Sequence, residues 1–281
     1  MVGIDRCPQP ARRGVVAIQA DLLDDDPRVR AALADAAVVH HLAGCPNVRD
    51  ARPDVERWRH RDNVLATEAV LARVPAAVPV LVASSSSVYG GSRGGRPSAE
   101  SDPLNPRGGY ACSKVAVEQR CAERERAGGR VAVIRPFTVV GEGQRPGMAV
   151  ATWIAAAREG RPLRVFGSPG RSRDLTDVRD AVRAWVQLAD LAVGGARIGT
   201  VNLGTGVPVP LGEIVEAVGR VLGTPVRAVV EPADAVEVEH THADVTRLRG
   251  LLGWVPHTDV DALVARQAGE ALRVGHGRRA S

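Results

Sequence analysis

Short apolar runs alternate with longer, helix-like stretches along most of this chain. Val2-Gly3-Ile4 before Asp5 reads as the end of a strand, Val15–Leu22 with Asp21 near its end, Ala36–Gly44, Val78–Ala83 and Arg130–Pro136 each read as a strand, and Thr200–Gly204 adds one more. Asp26 and Pro27 supply a cap and a first-turn proline for a helix ending near Ala34. Val55–Arg73 reads as one longer helix that carries Asn63, and another helix runs on from Tyr110 through Ala116, Val117, Glu118 and Gln119. Strands alternating with helices predict right-handed βαβ units, hence an α/β fold with a doubly wound parallel sheet. From Thr138 the texture changes. A loop over Val140–Gly147, a helix at about Val150–Glu159 and a Gly/Pro/Arg-rich turn over Gly167–Asp174 come first. A helix over Leu211–Leu222, a charged and weakly ordered stretch over Glu231–His242, and a frayed basic tail at Gly275–Ser281 follow.

Composition narrows the picture. Hydrophobic residues make up 44% and aromatics only 3%, so the core is built of Ala, Val and Leu, which suits parallel strands covered by helices on both faces. The net charge of +5 arises from arginines scattered among 32 acids with almost no interleaved aromatics, a poor match to a nucleic-acid surface. No apolar run approaches the ~20 residues of a membrane span, and the amino end lacks a signal-peptide pattern, so a soluble, cytoplasmic protein is expected. Cys7, Cys45, Cys112 and Cys121 show no paired spacing. His40 and His41 point to opposite faces of a strand, and His240 and His242 alternate without a carboxylate or cysteine ligand pattern, so no metal is expected.

The candidate chemistry lies between Ser84 and Lys114. The strand at Val78–Ala83 ends in Ser84-Ser85-Ser86-Ser87-Val88-Tyr89-Gly90, placing hydroxyls at the carboxyl edge of a sheet, where open α/β folds bind ligands. Tyr110 and Lys114 stand four apart in a helical stretch and face the same way. Among 37 basic residues Lys114 is the only lysine, and Tyr110 is one of only two tyrosines, so chance would produce this spacing about once in a hundred. A free phenol, with a pKa of about 10, is a poor base at neutral pH. A cation about 4 Å away at an effective dielectric of about 20 contributes roughly 4 kcal/mol and brings the phenol near the range where general acid–base catalysis works. A compact ammonium fits between a phenol and ribose hydroxyls better than arginine's wide fork. Asp5, at a strand end, could accept from the ribose 2′-hydroxyl of NAD and repel the 2′-phosphate of NADP, while Arg6 beside it could hold that phosphate instead.

These landmarks together resemble the extended short-chain dehydrogenase/reductase superfamily, specifically its NAD-dependent nucleotide-sugar epimerase/dehydratase group. The similarity runs from Val2 to about Leu272 and includes His41–Gly44, Ser84–Gly90, Tyr110–Lys114, Arg135–Phe137, Arg173-Asp174, Asn202–Gly204 and Leu252–Pro256. The resemblance implies a Rossmann-like fold and roles for particular residues. Tyr110 would take a sugar hydroxyl proton while hydride passes to the nicotinamide, Lys114 would hold the ribose, and Ser85 would be the catalytic serine. Asp5, Asp21, Leu22, Leu42, Ala43, Gly44 and Asn63 would line the cofactor. Ser86, Thr138 and Arg173 would face a nucleotide-diphosphate sugar. It also implies a homodimer built on helices over about Asn63–Arg73 and Tyr110–Arg126.

Three features depart from the family pattern. The glycine-rich strand, turn and helix expected before Asp5 are absent, which predicts a chain that lacks the first βα unit, is shortened relative to a longer protein, and binds NAD poorly. Asp234 stands where arginine is common, and Thr138 where asparagine is usual. The expected division is a cofactor domain over 1–138 and 174–204, a smaller carboxy-terminal substrate lobe over 139–173 and 205–272, and a disordered tail over 273–281. The predicted activity is nucleotide-sugar 4-epimerisation through a transient 4-keto intermediate, because Ser87 replaces the acid that dehydratases and decarboxylases of the group commonly carry there. The alternatives are an NAD(P)-dependent ketoreductase or alcohol dehydrogenase of the same superfamily, and a catalytically impaired cofactor-sensing or scaffold protein.

Overall fold

The structure, a computed structural model, describes residues 1–46, 50, 52–145 and 147–277, with side chains described as far as Gly269. Its elements are β1 (Val2–Asp5), β2 (Val16–Gln19), α1 (Pro27–Ala34), β3 (Val39–His41), α2 (Val55–Arg59), α3 (Ala66–Arg73), β4 (Val80–Ala83), α4 (Gly108–Arg126) and β5 (Val131–Pro136). There follow β6 (Thr138–Val140), α5 (Ala149–Arg158), β7 (Leu163–Phe166), β8 (Ser172–Asp177), α6 (Val178–Val193) and β9 (Gly199–Leu203). The last are β10 (Pro208–Pro210), α7 (Leu211–Leu222), β11 (Ala228–Glu231), α8 (Thr246–Leu252) and α9 (Val260–Gly277). The far end of the expected basic tail, residues 278–281, lies outside the described residues.

Contacts divide the chain into two compact units. The first comprises Met1–Gly90, Pro103–Arg135 and Gln187–Val201, and the second Gly91–Asp102, Pro136–Val186 and the residues from Asn202 onward. Segments 91–102, 136–138, 174–186 and 202–204 thus group differently from the division expected from sequence.

The first unit is built around the sheet β3-β4-β5-β9. Its parallel register sets Val39 against Val80 and Val80 against Val131, so the apolar runs seen in the sequence lie side by side. Val29 and Leu33 of α1, Val70 and Leu71 of α3, and Val117 and Cys121 of α4 pack with Val80, Val82 and Val133 into one buried cluster. Burying each such side chain stabilises by about 1.5–3 kcal/mol. β1 pairs in parallel with β2, from Val2 opposite Val16 to Asp5 opposite Gln19, as a separate sheet of two, and no described strand joins it to β3.

The single helix expected over Val55–Arg73 is interrupted. His60–Leu65 forms a π-helical turn between α2 and α3, and it places Asp62, Asn63 and Val64 in succession inside the fold. A regular helix would turn one of three neighbours outward.

In the second unit, α5, α7 and α9 pack around Trp153, Ile154, Leu163, Leu175, Ile214, Val218 and Leu263. Here one expectation is corrected. The supposed turn over Gly167–Asp174 ends at Arg171, and Ser172–Asp177 is the central strand of the sheet β10-β8-β6. Its polar sequence hides that role, because the strand is specified by its partners rather than by its own propensity.

Candidate active site

Helix α4 carries Tyr110, Lys114, Glu118 and Cys121. Lys114 is 7% exposed, and its Nζ donates to the carbonyl of Ala83 at the carboxyl end of β4, at 2.8 Å. The ammonium lies 6.0 Å from the centre of the Tyr110 ring, and a charge at about that distance still contributes roughly 3 kcal/mol at an effective dielectric of about 20. Burial pushes Lys114 down to about 8, against the opposing pull of Cys121 and Glu118. Burial also lifts the Cys121 thiol to about 12, so at neutral pH Glu118 is the counter-charge that matters.

The serine run is held from both sides. Ser84 donates to the Glu118 carboxylate. Ser85 accepts from the Ser87 N–H at 3.1 Å and so caps a 3-10 turn over Ser86–Tyr89. Gly90 ends that turn at φ 67°, where a Cβ would stand 2.0 Å from the Asn105 carbonyl oxygen, so only glycine fits. Ser86 is half-buried on the same turn.

Arg135 binds Glu118 with a bidentate fork, Nε to Oε1 at 2.9 Å and Nη2 to Oε2 at 2.7 Å, and its Nη1 donates to the Tyr89 hydroxyl at 2.7 Å. Burial opposes the Arg135 charge, but Glu118 more than compensates and holds it above its ordinary range. The chain's second tyrosine is therefore committed to Arg135, and Tyr110 alone stands beside the lysine. Sequence reasoning missed this Glu118–Arg135–Tyr89 cluster. The available signal was Glu118 itself, four residues beyond Lys114 and so on the same helix face.

Leu42, Ala43 and Gly44 lie open at the carboxyl end of β3, Leu42 at 65% exposure. Behind them Asn63 is buried and engaged at both ends. Its Oδ1 accepts from the Cys45 N–H at 2.7 Å, and its Nδ2 donates to the Cys45 carbonyl at 3.3 Å and to Ser113 Oγ at 2.8 Å. Ser113 in turn donates to the Tyr110 carbonyl at 2.7 Å. Asn63 thus ties the loop after β3 to the start of α4. A Cβ on Gly44 would fall 2.6 Å from Asn63 Oδ1 and 3.8 Å from Lys114 Nζ, so the loop runs close over the ammonium. His41 sits beneath, its Nε2 2.9 Å from Thr67 Oγ1. Because Thr67 spends its proton on the Asn63 carbonyl, His41 must donate from Nε2. Burial and the Lys114 charge push His41 down to about 4, so it is neutral at physiological pH.

At the ends of β1 and β2, Asp5 is exposed and accepts from the Cys7 N–H at 2.8 Å. Asp21 accepts from the Leu23 N–H at 2.9 Å and pairs with Arg61. Burial raises the Asp21 pKa, but these partners more than offset it. The carbonyl of Leu22 accepts from Arg73. These residues fit a dinucleotide: an open apolar strip after β3, a buried ammonium with a single hydrogen bond to the described residues, and an exposed carboxylate at the end of β1.

Thr138 and Arg173 belong to the second unit. Thr138 opens β6 opposite Leu175. Arg173 is on strand β8, not on a loop; its guanidinium donates to the carbonyls of Ser172 at 2.8 Å and Glu239 at 3.1 Å and lies 3.7 Å from Glu237.

The family model for the NAD dependent epimerase/dehydratase family matches residues 1–204. The chain belongs to that family. The UDP-glucose 4-epimerase of Mycolicibacterium smegmatis is 31% identical over 255 residues, which cover 89% of this chain and 80% of the relative. A probable UDP-glucuronate 4-epimerase of Rhizobium meliloti is 30% identical over 275 residues, covering 90% of this chain and 80% of the relative. Among solved structures, MoeE5 in complex with UDP-glucuronic acid and NAD superposes with a TM-score of 0.85 at 32% identity, covering 97% of this chain and 91% of the other. The UDP-glucuronic acid 4-epimerase of Bacillus cereus, at 23% identity and a TM-score of 0.88 over 97% of this chain and 91% of its own, shares the fold. The Rossmann-like α/β architecture and the NAD-dependent family expected from the motifs are therefore both found.

Proposed function

We propose that this member of the epimerase/dehydratase family is a nucleotide-sugar 4-epimerase. The observation that carries the reading is the buried Lys114 beside Tyr110, with one hydrogen bond among the described residues, in a chain about 30% identical to relatives named as UDP-sugar 4-epimerases. Bound NAD would accept and return a hydride at the sugar's C4. Tyr110, as phenolate, takes the proton of the 4-hydroxyl when the C4–H bond gives up its electron pair, leaving a 4-keto sugar, and it returns the proton once the hydride arrives on the other face. Lys114 stabilises the negative phenolate and holds the ribose through its two remaining N–H bonds. Ser85 donates to the 4-oxygen and Ser86 contacts the sugar; Thr138 and Arg173, in the second unit, are the further substrate positions that the resemblance to the family implies. Asp5, Asp21, Leu22, Leu42, Ala43, Gly44 and Asn63 form and support the cofactor wall. The absence of an acid at Ser87 favours epimerisation over loss of water or carbon dioxide.

Incubation with UDP- and dTDP-hexoses should interconvert C4 epimers with no net NADH release. Stoichiometric NAD(P)H turnover would point to a ketoreductase, and loss of water or carbon dioxide would overturn the reading of Ser87. The expected setting is the cytoplasm; among the described residues no helix is long and apolar enough to cross a membrane. A homodimer through the α3–α4 pair, whose Glu68 and Arg120 meet at 2.9 Å, belongs to the same proposal. Light scattering at micromolar concentration tests it, and a monomer rules it out.

A further inference from the structure

The π-helical turn between α2 and α3 uses three successive residues in two directions. Asn63 turns toward the loop after β3, whereas Arg61 and Asp62 reach the ends of β1 and β2. π-turns inside helices often mark functional positions. Arg6, the residue after Asp5, binds Asp62 with both arms of its guanidinium, at 3.0 and 2.8 Å, and lies 4.0 Å from Asp21. Arg61 bridges the same two aspartates. Asp62 is buried, while the Arg6 side chain is 47% exposed. A half-exposed arginine is thus drawn down onto an interior carboxylate.

The position of Arg6 gives this pairing its meaning. The carboxylate at such a strand end receives the adenine ribose hydroxyls of NAD, and an arginine nearby is what accommodates the extra 2′-phosphate of NADP. To hold a phosphate, a guanidinium needs its fork free. Here the fork is occupied. Among the described residues of this cluster two guanidiniums face two carboxylates, and the exposed Asp5 adds a third, so the cluster offers a phosphate dianion no surplus of positive charge. We propose that Asp62 sets the preference of this chain for NAD over NADP by engaging Arg6. The inference rests on the adenine ribose lying at the end of β1.

The test is titration calorimetry of the full chain with NAD and with NADP, comparing wild type, Asp62→Asn, Arg6→Ala and the double variant. Wild type should bind NAD at least about tenfold more tightly than NADP. Asp62→Asn, which keeps the volume and removes the charge, should narrow that ratio at least about tenfold by releasing the fork. Arg6→Ala alone should change NADP affinity less than about threefold, and added to Asp62→Asn it should abolish the gain. An unchanged ratio in a folded Asp62→Asn variant overturns the proposal. If circular dichroism shows Asp62→Asn unfolded, Arg6→Ala decides: a loss of NADP affinity of about tenfold or more would mean Arg6 already holds the phosphate, and the proposal falls. Binding of neither dinucleotide by wild type would overturn the cofactor site itself, an outcome distinct from binding of both with no response to Asp62.

Discussion

Lys114 in the first unit and Asp174 in the second are both buried charges, and the fold treats them in opposite ways. Asp174 is fully enclosed and accepts four hydrogen bonds: Thr205 N–H and Oγ1 reach Oδ1 at 2.8 Å, and the Gly206 and Ala243 N–H groups reach Oδ2 at 3.0 Å. Three of the donors are backbone groups from two segments, Thr205 and Gly206 in one and Ala243 in the other, so the carboxylate pins β8 to the turn after β9 and to the strand-like stretch at Ala243. Among the described residues Lys114 has one hydrogen bond to the protein. A buried charge with its valences filled is a structural tie, whereas one left under-coordinated weakens the fold and persists where chemistry needs it.

The largest effect that tests this contrast is on rate. Tyr110→Phe should lower epimerisation about 10²–10⁴-fold, the range for losing a general acid–base group, with no change in the urea midpoint. A fall in the midpoint would mean that Tyr110 acts through packing. The paired comparison is on stability. Lys114 has a folded pKa of about 8 against roughly 10.4 unfolded, so folding opposes its charge by roughly 3 kcal/mol wherever both states are protonated, below about pH 8. Between about 8 and 10.4 the unfolded chain binds the extra proton, so wild-type stability should rise with pH across that window. Lys114→Met should therefore stabilise the protein at pH 7 by up to about 3 kcal/mol while abolishing activity, and the gain should vanish toward pH 10. Asp174→Asn should do the reverse, losing about 3 kcal/mol because an amide turns donors toward donors. Equal signs for the two variants in urea titrations would remove the distinction. A smaller effect is expected of Lys114→Arg, which keeps charge but changes its shape: activity should fall at least about tenfold through misplaced geometry, and near wild-type rates would remove Lys114 from the mechanism.

The two regions also differed in how far they could be read from sequence. Tyr110 and Lys114 lie one turn apart on one helix, so periodicity alone brings them together, and being the only lysine made Lys114 conspicuous. The strands of the first unit are apolar because they are buried, and their positions were legible for the same reason. Asp174 was assigned to a turn because Ser172, Arg173 and Asp174 follow Gly167-Ser168-Pro169-Gly170. Nothing local reports that β6 and β10, more than thirty residues away on either side, make that segment a central strand. The Arg6–Asp62 and Glu118–Arg135 pairs were hidden likewise, since each joins residues far apart in the chain. The π-turn that inserts Asp62 and Asn63 has no pattern that a helical period detects.

The smallest predicted effect places His41 on the Lys114 side of the comparison. Its ring is buried and neutral, donates to Thr67, and is pushed down to about 4 by burial and by the Lys114 charge. The unfolded histidine titrates near 6.5. Between about pH 6.5 and 4 the unfolded state binds the extra proton, so stability should fall as acid is added through that window. At pH 5.5 the loss amounts to roughly 1 kcal/mol relative to neutral pH. His41→Gln keeps a donor near the position of Nε2 but does not titrate, so it should flatten this acid limb while leaving the Thr67–Asn63 link in place. Lys114→Met should also raise the His41 pKa, because the neighbouring charge is gone, and so should shrink the same limb. Urea titrations at pH 7 and 5.5 on wild type and both variants separate the contributions. An acid limb of equal depth in all three would show that His41 is already hydrated or paired elsewhere, and that the under-coordinated region around Lys114 does not extend to it.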